Sequence, residues 1–588
     1  MNYTFPTLSK ITRHHYLIIM LLLVILLALL AGCSQQKVTF TPEPPNQESV
    51  EPTTEPTLAL TLTPQLLLPP YYVWVDPALP EPARELISQQ AEFNLSISQE
   101  QALITFSAER SEQLIGSWTY LLVAPFYSSL DNIQYSDLSS FWKSGSIDNP
   151  EFSSLFMSEE TKLFLSRFWG APFTEGLSVI ETDLILEEIW YDSTALAIIP
   201  FEQLEPSYRV ISVDNHNPLT SSTDNALYLL TFPIYLSIPD PALFQPFQVT
   251  DITNFDPSKL TSVALTGVTA MARDTAVIME ENGVRYPGDD IRDILITADI
   301  THINNEVPFA ADCPPPDSNQ DSLSFCSDDS YIELLESIGT DIVELSGDHL
   351  NDHGADAMFH TLDIYSQHGL VVYGGGITLQ DGLEPAFIEH NGNKIAFIGC
   401  NAKSAEIYGS ASITEPGASR CDFEWMIPEI TRLSDEGYLV ISTMQHEEVD
   451  SFFPIALQLF DFRRLSDAGA SIVSGSQAHH PQGIEIVGSK FIHYGLGNLF
   501  FDQWHLARFN PDQHINKDKA FIDYHYIYDG SYINTRLIPL QFIDNARPRV
   551  MTEEEEDLLL EDFFEASKWN NKWIYLYATG YIKILENQ

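Results

Sequence analysis

Basic residues are scarce in this 588-residue chain: 29 Lys and Arg stand against 82 Asp and Glu, for a formal net charge of −53. A surface of that sign repels a phosphate backbone, which excludes nucleic acid as a partner. Cysteine is rarer still, at five, and no two are spaced Cys-x2-Cys, so a four-thiolate zinc site has no support. Long apolar runs are nearly absent too. The longest, Tyr16–Leu30, is about 15 residues, short of the roughly 20 that cross a bilayer as a helix. Between Tyr71 and Phe247 there is no nucleophile elbow, no P-loop and no clustered metal-ligand spacing. What remains, at 44% hydrophobic and 12% aromatic, is the composition of an ordinary globular protein with room for several cores.

The short apolar run has a use. Lys10 and Arg13 precede it and Ala31-Gly32-Cys33 follows it, the layout of an export signal over residues 1–33. Leu30-Ala31-Gly32-Cys33 also resembles the bacterial lipobox, which implies cleavage before Cys33 and a lipid on that cysteine. Residues 34–70 are rich in Pro, Thr and Glu, favouring an extended tether over a packed body. The expected location is the extracytoplasmic side of a membrane, held by the lipid. Export leaves Cys313, Cys326, Cys400 and Cys421 in an oxidising compartment. An even count there predicts two disulfides, and of the three connectivities sequence proximity favours Cys313–Cys326 and Cys400–Cys421.

Two α/β domains are expected, over 71–247 and 248–588. In the first, strand-like Tyr120–Pro125 and Ala195–Pro200 alternate with helix-like Glu81–Gln90 and Ser158–Phe168. In the second, apolar runs at Ser262–Thr266, Ile294–Ala298, Asp341–Leu345, Lys394–Gly399, Tyr438–Ser442, Ser471–Ser474 and Phe491–Tyr494 read as strands. Helical stretches at Tyr331–Ile338, Ala355–His368, Phe423–Leu433 and Ile455–Ala468 separate them, which predicts a largely parallel or mixed sheet covered on both faces. Near the C-terminus, Thr552 followed by Glu553–Glu556 reads as a capped helix start, and the acids need no ion to explain them.

Polar residues follow these runs: Asn304 and Glu306, Asp348 and His349, Gln445, His446 and Glu448, Gln477 and His479, Asn498 and Asp502. Open α/β sheets carry their sites at the C-terminal strand ends. One histidine after a strand is ordinarily a loop residue satisfied by backbone. Several strand ends with imidazole, carboxylate and amide groups predict one cleft holding Glu306, Asp348, His349, His446 and His479, with Asn304 and Asn498 beside it. Such donors suit a divalent metal that activates water, with Glu306, His349 and His479 as ligands. A metal-free site could instead use Glu306 or Glu448 as base and His349 or His479 as acid, with His446 a further candidate catalytic residue.

Gly267-Val-Thr-Ala-Met-Ala-Arg273, Ala298-Asp-Ile-Thr-His-Ile-Asn-Asn-Glu306 and Leu345-Ser-Gly-Asp-His-Leu-Asn-Asp-His-Gly354 carry a resemblance, as do Tyr373-Gly-Gly-Gly376, Gly475-Ser-Gln-Ala-His479 and His493-Tyr-Gly-Leu-Gly-Asn-Leu-Phe-Phe-Asp502. Residues 262–503 resemble the bacterial CapA (poly-gamma-glutamate capsule synthesis) family, a relative of the calcineurin-like metallophosphatases. The resemblance implies a four-layer α/β sandwich and work on the cell envelope, with an envelope polymer or the capsule machinery as partner. This chain departs from the family pattern. Val268 replaces an aspartate, Asp348 an amide, and Ser476 and Gln477 two histidines; the His-Trp-Gly-x-Glu element reads Met444-Gln445-His446-Glu447-Glu448. One divalent metal ion, or none, is therefore expected in place of a dinuclear centre. A non-catalytic envelope-binding or assembly protein is the alternative. Upstream, Val123-Ala-Pro-Phe126, Trp142, Trp169 and Ala195–Pro206 resemble type 2 periplasmic-binding proteins, which implies a ligand cleft, although core packing also accounts for the tryptophans.

Overall fold

Gln113–Pro125, a run that is apolar through its second half, is the spine of the first sheet. The computed structural model of the protein describes residues 67–567 except 147–151, 221–226, 241–248, 404–409, 504–515 and the single positions 91, 97, 112, 239, 250, 321 and 413. The proposed leader, Cys33 and most of the tether lie outside the described residues. Among those described, no helix is long and apolar enough to cross a membrane.

The first sheet is mixed. Its order is Phe93–Leu95, Tyr71–Val75, Ile104–Ser107, Thr231–Ser237, Gln113–Pro125, Ala195–Pro200, Ser154–Met157 and Leu177–Val179. Ile252–Thr253 also pairs with the spine, beside Gly116. A Cβ on Gly116 would sit 2.1 Å from the Ile252 carbonyl oxygen, so only glycine admits this strand. Trp142 is buried, its Nε1 donating to the Gly170 carbonyl at 3.0 Å, and its ring meets Trp169 at 5.1 Å. Both tryptophans are packing residues.

Two further sheets make the second body. One runs Val371–Tyr373, Ile342–Glu344, Ile300–Asn305, Leu260–Thr266, Lys519–Tyr528, Ser531–Phe542 and Pro548–Val550, with its first four strands parallel. The other runs Ala386–His390, Asn393–Asn401, Leu439–Gln445, Ile472–Ser476, Lys490–Leu496 and Pro481–Val487, parallel across its four central strands. They face each other. His302 Nε2 and the Tyr373 hydroxyl are 2.7 Å apart, Tyr373 reaches Thr443 at 2.9 Å, and the His302 and Phe397 rings stack. Helices Phe423–Asp435 and Ala456–Ala468 cover the outside of the second sheet with Met426, Ile430, Phe462 and Leu465. Helix Gly354–Gln367 backs the first, its Tyr365 hydroxyl accepting from Asn305 at 2.6 Å. The fold class is mixed α/β, as expected.

A single apolar core runs from the first sheet into the second body. Phe201 packs on Tyr528 at 4.8 Å, and Phe126 lies 6.4 Å from both Phe491 and Phe564. Both disulfides, Cys313–Cys326 and Cys400–Cys421, are formed. Helix Glu553–Ala566 opens with Thr552 and Glu555 capping each other.

One strand is displaced from its expected place. Ile294–Ala298 is not a strand: Arg292–Leu295 is helical, and Ile296 is half exposed. The strand is Ile300–Asn305. Asp299 sets the break, because its carboxylate accepts from the Ser262 backbone N–H and hydroxyl, both at 2.8 Å.

Candidate functional site

A cavity of about 620 Å³ opens where the parallel strands end. Glu306 follows Ile300–Asn305, and Asp348 and His349 follow Ile342–Glu344. Lys403 follows Asn393–Asn401, Glu448 follows Leu439–Gln445, and Gln477 and His479 follow Ile472–Ser476. Arg273 and Gln503 close the rim, and the segment tied by Cys313–Cys326 contributes Gln320 and Phe325. Both sheets thus deliver polar groups to one place.

Glu306, Asp348 and His349 lie closest together, each offering a ligand atom within 4.8 Å of the others. His349 Nε2 is 3.9 Å from Glu306 Oε1 and 4.0 Å from Asp348 Oδ1. Its Nδ1 is held at 2.7 Å by Asp352 Oδ2. The approach depends on Gly347, where a Cβ would come within 2.6 Å of the Glu306 Cα and carbonyl oxygen. Glu306 is 1% exposed. Burial, followed by the Asp348 charge, pushes its carboxyl well above the usual range. Burial would also raise Asp348, but His349 and Lys403 outweigh it and bring that carboxyl down to about 2. Glu306 Oε2 and Asp348 Oδ1 are buried without a hydrogen-bond donor, so a proton or a cation belongs between them.

Across the cavity, Lys403 Nζ sits 2.7 Å from Asp348 Oδ2 and 2.9 Å from Glu448 Oε1. Burial opposes its charge, yet the two carboxylates raise its pKa. Burial likewise opposes the Glu448 charge, but His479 and Lys403 hold this carboxyl low. Burial dominates at His479, bringing it down to about 4, and its Nδ1 lies 2.8 Å from Asn498 Oδ1. Arg273 is paired with Asp502 and lies between the Phe325 and Phe501 rings. Arg273, Gln477 and His479 all have positive φ, at 46°, 78° and 51°. Each such residue costs about 1–3 kcal/mol, a strain that concentrates where side chains must be aimed.

The structure brings together Glu306, Asp348, His349, Glu448 and His479. It does not bring His446. That side chain is fully buried, with Nε2 3.2 Å from Asp461 in helix Ala456–Ala468, because the strand runs on to Gln445 and turns the next residue inward. Asn304 and Asn498 lie beneath the cavity: Asn304 Nδ2 donates to Glu344 Oε2 at 2.7 Å and to Ser476 at 3.3 Å. The tight acidic group contains Asp348 in the place expected for His479. Val268 is completely buried, in an apolar cluster with Phe325 and Phe501. Lys403 and Arg273 were not anticipated. The sequence signal for Lys403 is its position just after the run Lys394–Gly399, a strand end that carries no acid or imidazole of its own.

This is a paired-sheet α/β body with an acid- and imidazole-lined site at its strand ends. Residues 262–503 match the family described as bacterial capsule synthesis protein PGA_cap. The capsule biosynthesis protein CapA of Bacillus anthracis is 23% identical over 337 residues, covering 55% of this chain and 78% of that protein. The PGA biosynthesis protein CapA of Bacillus subtilis is 27% identical over 202 residues, 34% of this chain and half of that protein. Solved structures with a local likeness include an ABC-type phosphate transport receptor from Vibrio cholerae (13% identity, 29% of this chain and 87% of that one, TM-score 0.24). Haemophilus influenzae NAD nucleotidase is another (10% identity, 54% and 60%, TM-score 0.31). The fold assignment rests on the strand pairings above and not on these likenesses.

Proposed function

We propose that this protein acts on a polymer of the bacterial envelope, poly-gamma-glutamate or one of similar linkage, in capsule synthesis or anchoring, by hydrolysis or transfer at a site holding one divalent cation. The observation that carries this reading is the convergence of Glu306, Asp348 and His349 with two buried carboxylate oxygens facing no donor. Those donors fit a cation. His349 is oriented from behind by Asp352, the arrangement that fixes metal-binding imidazoles. When bound, the cation would polarise a carbonyl or phosphoryl oxygen.

The chain's own residues supply the rest. His479, neutral at pH 7, keeps Nε2 available to take or give a proton when Nδ1–H donates to Asn498. Glu448 sits near it as an ionised carboxylate. Lipidation at Cys33 would hold this site outside the cytoplasm. Palmitate labelling that persists in Cys33→Ala would remove the anchor from the proposal.

A binding role without chemistry has one specific observation in its favour, the buried Val268 where the family carries an aspartate. Incubating purified protein with poly-gamma-glutamate of defined length and Mn²⁺ separates the readings. Shortened or transferred polymer supports the enzyme, and co-sedimentation with unaltered polymer supports the binder. If neither is seen, this polymer is not the target.

A further inference from the structure

We propose that Lys403 is a resident cation of this site, its ammonium standing where a second metal ion would sit among Asp348, Glu448 and His479. The inference goes further than the one-cation reading above and rests on it only for the first position, at Glu306, Asp348 and His349.

Asp348 points two ways. Its Oδ1 lies on the His349 side and its Oδ2 lies 2.7 Å from Lys403 Nζ, so one carboxylate lies between two positions for positive charge. Lys403 reaches Glu448 at 2.9 Å as well, joining acids that follow strands of different sheets. His479 lines the same cavity, although its ring is not within the 4.8 Å grouping that Glu306, Asp348 and His349 make. With Nδ1 against Asn498 Oδ1 and its ring lining the cavity, it is oriented as a ligating imidazole is. Two carboxylates and an imidazole make an ordinary donor set for a divalent ion.

Charge decides how many ions the cavity accepts. Among the described residues, Glu306, Asp348 and Glu448 are the carboxylates that line it, while Arg273 is matched by Asp502 and Lys517 by Asp450. One divalent cation and one ammonium balance three carboxylates. Two divalent cations beside Lys403 would leave an excess of positive charge at short range, where repulsion is strongest.

Nor is Lys403 a wandering surface chain. Its backbone N–H donates to Asn401 Oδ1 at 2.9 Å, and Asn401 in turn donates to the Ser346 carbonyl at 2.6 Å and to Gln445 at 2.9 Å. The Cys400–Cys421 disulfide fixes the preceding strand end. An ammonium held this way occupies its position permanently, which an exchangeable ion does not.

The test is the number of Mn²⁺ ions bound per chain, measured by elemental analysis and titration on the purified full chain. Lys403→Met removes the charge and keeps most of the length; Lys403→Gln serves if the first variant fails to fold, with circular dichroism as the check. We expect one ion in wild type, two in the charge-removed variant and one in Lys403→Arg. The second ion should disappear when His479→Ala is added, and two bound ions should show coupled manganese signals in electron paramagnetic resonance. One ion in both wild type and variant would overturn the inference and leave the one-cation reading standing. None in wild type and one in the variant would support Lys403 as resident cation and overturn the reading below it. None in either, or two in wild type, would overturn the inference.

Discussion

Asp352 Oδ2 lies 2.7 Å from His349 Nδ1, so the ring that turns its other nitrogen toward Glu306 and Asp348 is gripped from behind by a carboxylate. The same oxygen accepts from the Phe325 backbone N–H at 2.8 Å, linking the disulfide-tied segment to the site. Asp352→Asn keeps the shape but weakens the grip on His349. Outer-shell changes of this kind lower metal affinity by about 10–100-fold. Titration of Mn²⁺ into the variant checks this, and unchanged affinity would separate Asp352 from the site.

Gly347 makes a second, independent prediction. A methyl group there would collide with the Glu306 backbone at 2.6 Å, so Gly347→Ala must push the Asp348–His349 turn away from Glu306. Overpacking of this kind costs about 1–3 kcal/mol. The melting temperature should fall by several degrees and Mn²⁺ binding should be lost while the circular dichroism spectrum is retained. A variant that binds Mn²⁺ normally would show that the turn can move without opening the site.

The site was legible wherever a strand ended on time. Asp348, His349 and His479 follow apolar runs whose ends were read within two residues of their places, and all three line the cavity. His446 was misplaced because Leu439–Gln445 runs past the apolar stretch Tyr438–Ser442, and a shift along a strand turns a side chain to the other face. Ile294–Ala298 misled for a different reason. Its β-branched run satisfies strand composition, but Asp299 spends its carboxylate on Ser262 and starts the strand after itself. Lys403 escaped because a lysine carries no chemistry until the acids around it are known, and those come from elsewhere in the chain.

Buried histidines give the pH dependence. Burial holds His302 down to about 3, from an ordinary value near 6.5. Between those values the unfolded chain takes up a proton that the folded chain refuses, so stability contributed by the neutral ring falls as pH drops from about 6.5 toward 3. His302→Gln should be less stable at pH 7.5, having lost the Phe397 stacking, and the gap to wild type should narrow on acidification. Chemical denaturation at pH 7.5, 6 and 5 measures it. A gap that is constant or widens would show that His302 is protonated in the fold.

The disulfides carry the last prediction. Cys313–Cys326 closes a segment of sequence separation 13 that places Gln320 and Phe325 on the cavity wall. Cross-linking a loop of this size stabilises a fold by about 3 kcal/mol, chiefly by restricting the unfolded chain. Cys400–Cys421, of separation 21, pins the strand that ends just before Lys403. The two should therefore separate by readout. Cys313→Ser with Cys326→Ser should lower the melting temperature and leave the Lys403 contacts to Asp348 and Glu448 in place. Cys400→Ser with Cys421→Ser should lower it too, and should also loosen Lys403, raising the number of Mn²⁺ ions the site accepts. Equal melting temperatures in wild type and both double variants would mean that neither bond constrains the chain. A rise in bound Mn²⁺ in the first pair but not the second would place control of the cation site in the 313–326 segment and take it from the strand that carries Lys403.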